Sequence, residues 1–335
     1  MSVDRTRVLK CVPTAIMYSN CSSTLSVSAF VANATLSFDS SDTTLTTVTR
    51  TGAVRGRSEF MEAIACPYCG VRDDELWAHE RGFTTVRCRP CGFLYLNPRP
   101  NAEAIDAAVR TGMHGEVAQN LNVVARRRRA KIIQYRDVFA RLFDDVWKRG
   151  EPVSWLDVGA GYGEIVEAVT SLVPTGSSVE GVEPMAPKAS QARARGLNVT
   201  QGYLQSNHAK VDIISMIDVF SHIPSFGTFL LDVRNVLKPT GEVFVETGNL
   251  ADLDRREDFP GELGLPDHLT FAGEAHLLGF LERAGFELVR IERVRVDGVI
   301  NTAKSIAKKI LGRPVLLRMP YSSRYRQLLV RARLS

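Results

Sequence analysis

Four cysteines in two Cys-x-x-Cys pairs carry the most specific chemical pattern in this 335-residue sequence. The pairs, Cys66 with Cys69 and Cys88 with Cys91, are each followed by glycine, and 18 residues separate them. This spacing is typical of a structural zinc site, in which four thiolates complete a tetrahedral coordination shell. Because no coordination position is left open, we predict that the zinc supports folding and takes no part in catalysis.

A glycine-rich loop is the second pattern. An apolar stretch, Trp155–Val158, contains Asp157 and predicts a strand. Three glycines follow it at alternate positions before an expected helix: Gly159, Gly161 and Gly163. Glycines let the backbone turn tightly and let a ligand approach it closely. Glu183 ends the next expected strand, at the spacing of an acid that accepts ribose hydroxyls.

The spacing of these glycines separates two kinds of nucleotide cofactor. Nicotinamide and flavin enzymes use Gly-x-Gly-x-x-Gly, with a helix N-terminus facing a pyrophosphate. Here the pattern is Gly-x-Gly-x-Gly, and Asp157 immediately before it would repel a pyrophosphate. A carboxylate in this place suits a ligand that carries an ammonium group and a sulfonium.

Two histidines are candidates for catalysis. His222 lies just beyond the expected fourth strand, at the carboxyl edge where ligands bind in open α/β sheets. Its side chain titrates near neutral pH and can act as a general base toward a hydroxyl acceptor. His268, in the segment 266–271, is the second candidate, and residues 246–249 end the fifth strand on the same edge. A structural role for each histidine stays open as the alternative.

Residues 153–249 resemble the class I S-adenosylmethionine-dependent methyltransferases. The resemblance implies that Asp157 and the three glycines hold the methionine part and the adenosine, and that Glu183 binds the ribose. It also implies that Asp218, in the fourth-strand segment 211–223, belongs to the cofactor site. Two departures from the family pattern stand out: residues 202–204 offer no acid after the third strand, and Ser221 replaces the usual glutamate before His222.

Residues 91–100 resemble the end of the zinc-binding module of a bacterial methyltransferase group associated with sugar and glycan modification. The resemblance implies S-adenosylmethionine-dependent methyl transfer to a small-molecule, glycan-type acceptor, with O-methylation favoured. A zinc-ribbon RNA methyltransferase and a non-catalytic cofactor-binding scaffold remain as alternatives.

The elements that must position these residues alternate between β and α after Gly150. This alternation predicts a Rossmann-like α/β fold with a seven-stranded, mostly parallel sheet and helices on both faces. The predicted strands are 153–158, 178–183, 198–201, 211–217, 241–247, 286–294 and 327–333. The predicted helices among them are 163–172, 187–195, 226–237, 273–284 and 303–311. Before Gly150, apolar spacing predicts a helix capped by Asn101 and one long helix over 120–148.

We expect five segments along the chain. They are a disordered Ser/Thr-rich extension (1–60), a four-cysteine zinc-binding module (61–100), a helical connector (101–150), a Rossmann-like methyltransferase domain (151–299), and a basic C-terminal helix with a final strand (300–335). The first segment contains 20 Ser or Thr and could alternatively be a targeting leader, or an upstream extension if Met61 is the true start.

Composition limits the class of protein. The chain is 44% hydrophobic and 24% charged, and no stretch approaches the roughly 18 apolar residues of a membrane span. Paired metal-binding thiolates and an intracellular cofactor favour the cytoplasm. The net charge of +5 is uneven, since residues 300–335 hold nine Lys or Arg and no acid. This basic tail is open to three interpretations: binding of nucleic acid, which is not favoured; binding of an anionic membrane surface or phosphate-bearing acceptor; or solubility.

Overall fold

A computed structural model describes residues 57–259, 261–295, 299–312 and 324–335, which belong to one compact unit spanning 54–335. The disorder predicted for 1–60 and the possible leader concern residues of which 1–56 lie outside the described ranges. Among the described residues, no helix is both long and apolar enough to cross a membrane.

The strands lie in chain order as β1 (Met61–Glu62), β2 (Asp74–Glu80), β3 (Phe83–Cys88), β4 (Leu94–Leu96), β5 (Arg99–Pro100), β6 (Met113–His114), β7 (Leu121–Asn122), β8 (Ser154–Val158), β9 (Ser178–Glu183), β10 (Val199–Gln201), β11 (Val211–Ile217), β12 (Leu237–Gly248), β13 (Thr270–Phe271), β14 (Phe286–Val294) and β15 (Gln327–Leu334). The helices are α1 (Ala102–Thr111), α2 (Gly115–Ala118), α3 (Arg129–Leu142), α4 (Asp144–Arg149), α5 (Glu164–Thr170), α6 (Ala186–Arg193), α7 (Phe226–Val236), α8 (Glu274–Arg283) and α9 (Val299–Ile310).

A seven-stranded sheet forms the centre of the fold, in the order β10-β9-β8-β11-β12-β15-β14. The first five strands are mutually parallel, and β15 runs antiparallel to both of its neighbours. This arrangement confirms the predicted Rossmann-like, mostly parallel sheet. The final strand, β15, pairs with β12 and β14 and so completes the same sheet as the strands of residues 151–299.

Side chains on the strands alternate between two cores, as the two-residue period of a strand requires. Trp155 and Phe244 face one side, where they pack with the rings of Phe139 and Phe143 from the helical connector. Their strand neighbours face the other side, beneath α7 and α8. Both faces of the sheet are therefore covered by helices, as a parallel sheet demands.

The single helix predicted over 120–148 is wrong. The chain forms the short strand β7, then an extended stretch, then α3 and α4 with a break at Phe143, whose φ of −118° is not helical. The extended stretch forms hydrogen bonds with the glycine loop and α5. The Tyr162 hydroxyl donates to Ala125 O (2.7 Å), and Arg128 N–H donates to the Glu164 carboxylate (3.0 Å). These tertiary bonds replace the helical ones, so residues 123–128 are not helical and the helix begins only at Arg129.

The cysteine module is fused to the sheet domain. Its strands β2, β3 and β4 continue into β13, which belongs to the segment after β12. Cys66, Cys88 and Phe93 lie in the same core as α7 and α8. The segment 61–100 thus shares a sheet and a hydrophobic core with the rest of the unit.

Candidate active site

The glycine loop connects β8 to α5 at the carboxyl edge of the sheet. Its three glycines have φ values of 72°, 56° and 80°, in the left-handed region that other residues rarely adopt: Gly159, Gly161 and Gly163. A Cβ on Gly159 would lie 2.7 Å from Val219, and a Cβ on Gly163 would lie 2.6 Å from Leu197. A Cβ on Gly161 would meet no atom closer than 3.9 Å. Two of the glycines therefore permit close packing, whereas a Cβ on Gly161 would make only ordinary van der Waals contacts.

Glu183, at the end of β9, lies against the backbone of Gly161. The residue is 5% exposed, and its carboxylate oxygens accept the N–H groups of Gly161 (2.8 Å) and Met185 (2.9 Å). Each oxygen keeps a second lone pair, so the carboxylate can still accept hydroxyl donors. The predicted acid and the predicted loop are thus in direct contact.

Asp157 lies beneath the loop at the end of β8. It is 1% exposed; Oδ1 accepts the Ser215 hydroxyl at 2.6 Å, and among the described residues Oδ2 has no hydrogen-bond partner. Burial raises the pKa of this carboxyl to about 7, although the Ser215 bond and Lys131 oppose the shift. A buried, half-paired carboxylate is costly unless a donor or a cation approaches it. The cleft therefore fits a cationic nucleoside, which is the charge that S-adenosylmethionine carries.

An acid that the sequence did not predict lies beside the residues that follow β10. Tyr203 donates its hydroxyl to Asp106 of α1 at 2.7 Å, and Arg110 lies over the tyrosine ring at 5.3 Å. Residues 202–204 themselves offer no carboxylate, as expected. An acid nevertheless stands at this point because α1 packs there, and only a pairing of distant segments could have indicated it.

The candidate catalytic histidines meet at the same edge. The rings of His222 and His268 lie 4.9 Å apart, centroid to centroid. His222 Nδ1 is 2.9 Å from the carbonyl oxygen of Asp267, and His268 Nδ1 is 2.7 Å from the carbonyl oxygen of Leu263. A carbonyl only accepts, so both Nδ1 atoms carry hydrogen and both Nε2 atoms are left as lone-pair acceptors.

Asp267 links this pair to a third histidine. Its Oδ1 lies 3.7 Å from His222 Nδ1 and 3.3 Å from Nε2 of His114, which is 4% exposed. Burial alone would raise the pKa of Asp267, but the His114 hydrogen bond and the nearby charges of His222 and His268 hold it below its usual value. Burial and His222 lower the pKa of His268, which keeps that ring neutral near pH 7. No local pattern in the sequence marks Asp267 or His114 as part of this cluster.

Another buried carboxylate lies at the carboxyl edge of the sheet. Glu246, at the end of β12, accepts the Tyr135 hydroxyl at 2.5 Å, and burial together with Asp218 raises its pKa to about 7. Asp218 follows β11 with a left-handed φ of 58°, and its carboxylate is 3.7 Å from Lys131 Nζ. Asp218 thus follows β11 at the carboxyl edge of the sheet, with Lys131 of α3 as its counter-charge.

The four cysteines converge into one cluster. Cys66 Sγ lies 3.6 Å from Cys91 Sγ, Cys69 Sγ lies 3.5 Å from Cys88 Sγ, and all four sulfurs are within 4.8 Å of one another. A tetrahedron with Zn–S bonds of about 2.3 Å has S···S edges of about 3.8 Å, so the cluster matches the size of a zinc site. The glycines after each pair turn the chain back, each with a φ of 76°.

The fold and the cleft define a class I S-adenosylmethionine-dependent methyltransferase. A protein-family model described as a methyltransferase domain matches residues 124–291, half of the chain. The chain belongs to this methyltransferase domain family and is an enzyme of that class. The match starts in the stretch before α3, and it includes the glycine loop and both candidate histidines.

Comparison with curated proteins gives partial matches. The chain is 24% identical over 152 residues to the ubiquinone biosynthesis O-methyltransferase of Pseudoalteromonas translucida (strain TAC 125), covering 40% of this chain and 63% of that protein. It is 29% identical over 110 residues to the enzyme of the same name from Rhodopseudomonas palustris (strain TIE-1), covering 30% and 41%. The chain thus spans less than two thirds of the length of these relatives.

Solved structures with a similar fold include a putative sarcosine dimethylglycine methyltransferase from Galdieria sulphuraria, 17% identical, with a TM-score of 0.47 over 61% of this chain and 86% of that one. The magnesium protoporphyrin IX methyltransferase from Synechocystis PCC 6803 with bound S-adenosylmethionine is 15% identical, with a TM-score of 0.40 over 62% and 81%. The family assignment rests on the domain match and not on these distant likenesses.

Proposed function

We propose that the enzyme transfers a methyl group to a hydroxyl oxygen of a small-molecule, glycan-type acceptor, with His222 as general base and His268 as its partner. The observation that carries the proposal is the pair of histidines whose Nδ1 atoms are both fixed on backbone carbonyls. This arrangement leaves Nε2 of each ring as the nitrogen that an acceptor can approach, at the carboxyl edge of the sheet. A base there can take the proton that a hydroxyl loses when it attacks the methyl carbon.

The residues of the cleft hold the cofactor. Glu183 would accept the ribose hydroxyls, the backbone of Gly161 would lie against the nucleoside, and Asp157 would face its positive charge; the neighbouring Asp218 belongs to the same edge. S-adenosylmethionine, when bound, supplies the methyl group as a sulfonium displaced in line by the acceptor. Little else is required of the protein than alignment and removal of one proton.

The surroundings of His222 and His268 differ, and this difference suggests a separate role for each histidine. The His222 side chain is 29% exposed and can reach an acceptor, whereas burial lowers the pKa of His268. Asp267 lies beside His222, so a proton taken up by the His222 ring is stabilised by the carboxylate. We assign proton abstraction to His222 and positioning of the acceptor hydroxyl to His268.

The glycan-type acceptor is supported by the resemblance of residues 91–100 to modules of sugar-modifying methyltransferases, and transfer to oxygen by the partial likeness to O-methyltransferases. Purified enzyme with methyl-labelled cofactor and a fractionated host extract tests both. We expect label in a low-molecular-weight polyol fraction as a methyl ether, and none with His222→Ala. Label on RNA, or on carbon or nitrogen, would contradict the proposal.

We also propose that the four cysteines hold one structural zinc ion. The size of the cluster supports this, and the metal would tie the start of β4 to β3 and so support the strand that pairs with β13. Elemental analysis of purified protein should give one zinc per chain, lost in Cys88→Ser and kept in the control Cys11→Ser/Cys21→Ser. Protein that is folded and free of zinc would discard the site.

A further inference from the structure

The connection between β14 and β15 leaves the sheet on the side of the active site. Val294, the last residue of β14, and Gly248, the last residue of β12, both pair with Gln327, where β15 begins. The parallel strands β8 and β11 end on that same edge, at the glycine loop and just before His222. The described ends of this connection, Arg295 and residues 324–326, therefore lie at the carboxyl edge of the sheet.

The end of this connection is fixed against the acceptor side. Asn249 donates its N–H to Arg326 O at 3.0 Å and accepts the Arg326 N–H on its side chain at 2.7 Å. The ring of Tyr325 packs on Phe259 with centroids 4.8 Å apart. The residues just before β15 are thus fixed next to the end of β12, and α9 begins only five residues after the end of β14.

The helix α9 combines exposed aliphatic and cationic side chains. Ile306 and Ile310 are one turn apart, and with Leu311 they are 42%, 80% and 75% exposed. Lys308 and Lys309 are also exposed. Single exposed apolar residues are common, but three of them within six residues, next to lysines, form an unpartnered amphipathic surface in the described part of the chain.

The charge of the surrounding sequence has one sign. Residues 300–335 include nine Lys or Arg and no Asp or Glu. An anionic surface with an apolar interior complements both properties of α9, since lysines pair with headgroups while aliphatic side chains enter the acyl boundary. A nucleic acid would use the charge but leave the isoleucines in water, and α9 has no aromatic residue on which a base could stack.

We propose that α9 binds the surface of an anionic lipid bilayer and so places the carboxyl edge of the sheet, with its acceptor site, next to the membrane. The helix is 12 residues long and lacks tryptophan, so the binding is reversible and salt-sensitive. The enzyme would then meet acceptors at the lipid surface. Membrane binding is independent of which acceptor is methylated, so the two proposals are tested separately.

Co-sedimentation of the full chain with vesicles tests this directly. We expect binding to phosphatidylcholine vesicles that contain phosphatidylglycerol, little binding to pure phosphatidylcholine, and release at high salt. Lys308→Gln/Lys309→Gln should lower the partition coefficient about tenfold or more, since each lysine near an anionic surface contributes about fivefold. Ile310→Ser/Leu311→Ser should also weaken binding, which a purely electrostatic contact with RNA would not require.

The matched control is Lys148→Gln/Arg149→Gln, which removes the same charge from α4, just before β8 and hence at the opposite edge of the sheet. We expect this variant to bind vesicles like the parent, and all three variants to keep the parent affinity for S-adenosylmethionine. Equal loss in the control, equal binding to neutral vesicles, or no binding by the parent would overturn the proposal. Retention on RNA that anionic vesicles cannot displace would do the same and favour nucleic acid.

Discussion

The cofactor cleft and the acceptor edge lie side by side but are built in different ways. The cleft residues Asp157, Gly161 and Glu183 come from one strand-turn-helix-strand unit of 27 consecutive residues. The acceptor cluster joins His114, His222 and Asp267, of which the outer two are 153 positions apart. A cofactor cradle can therefore be encoded locally, whereas the acceptor site depends on the assembly of three separate segments.

The cysteine module contributes to that assembly. Leu96 N–H donates to Leu269 O at 2.8 Å, and Leu269 N–H donates to Ser221 O at 2.7 Å. Leu269 follows His268 and Ser221 precedes His222, so these two bonds connect strand β4 to both candidate catalytic histidines. The module thus braces the acceptor edge, and the cleft has no comparable bond to β4 among the described residues.

The largest expected effect separates the two regions by kinetics. His222→Ala should lower the turnover number about 10²–10⁴-fold, because a general base is lost, while the dissociation constant for S-adenosylmethionine stays within about twofold. Rapid-quench turnover assays and calorimetry measure the two quantities. The control is His79→Ala, an exposed histidine on β2. Turnover that is unchanged in His222→Ala would remove this residue from the mechanism.

The same contrast explains what the sequence could predict. The spacing of the glycine loop and Glu183 along the chain fixes their spacing in the fold, so the sequence predicts their proximity. Apolar runs predict the seven strands in nearly correct positions. Asp267 and His114 were not identified as catalytic, since nothing local marks a residue whose partner lies 153 positions away. The non-helical stretch before α3 could not be predicted for the same reason, because the hydrogen bonds from Tyr162 and Glu164 that hold it are tertiary.

A second test divides the glycine loop itself into a packing part and a binding part. Gly163→Ala places a Cβ 2.6 Å from Leu197 at a φ of 80°, so overpacking and left-handed strain together should lower the free energy of unfolding by about 2–4 kcal/mol. Gly161→Ala carries the strain alone, about 1–2 kcal/mol, but its methyl enters the open cleft and should weaken cofactor binding. Denaturant titrations and calorimetry measure both. Equal stability of the two variants would contradict this division.

Removal of the ribose acid should have an effect of intermediate size. Glu183→Gln replaces a charged acceptor by a neutral one, so the dissociation constant for S-adenosylmethionine should rise about 10- to 100-fold, as expected for a lost charge-assisted hydrogen bond. Turnover at saturating cofactor should change little. Glu180→Gln, on the exposed face of the same strand, is the matched control. A drop in saturated turnover with unchanged affinity would move Glu183 out of the cofactor site.

The smallest effect concerns pH and tests whether the cleft is tuned for positive charge. Burial raises the pKa of Asp157 from 3.8 to about 7, so the unliganded fold favours the protonated form. This stabilising contribution is present below pH 3.8 and is lost as pH rises through about 7.

A cationic ligand reverses the preference of Asp157 for the protonated form, so affinity for S-adenosylmethionine should rise by up to about tenfold from pH 6 to pH 8. Asp157→Asn should flatten this rise and also remove part of the pH dependence of stability, measured by calorimetry and thermal unfolding. Glu246, whose pKa is also raised to about 7, stays in both proteins and cancels in the comparison. An affinity that rises equally in Asp157→Asn would assign the titration to the acceptor edge instead of the cleft.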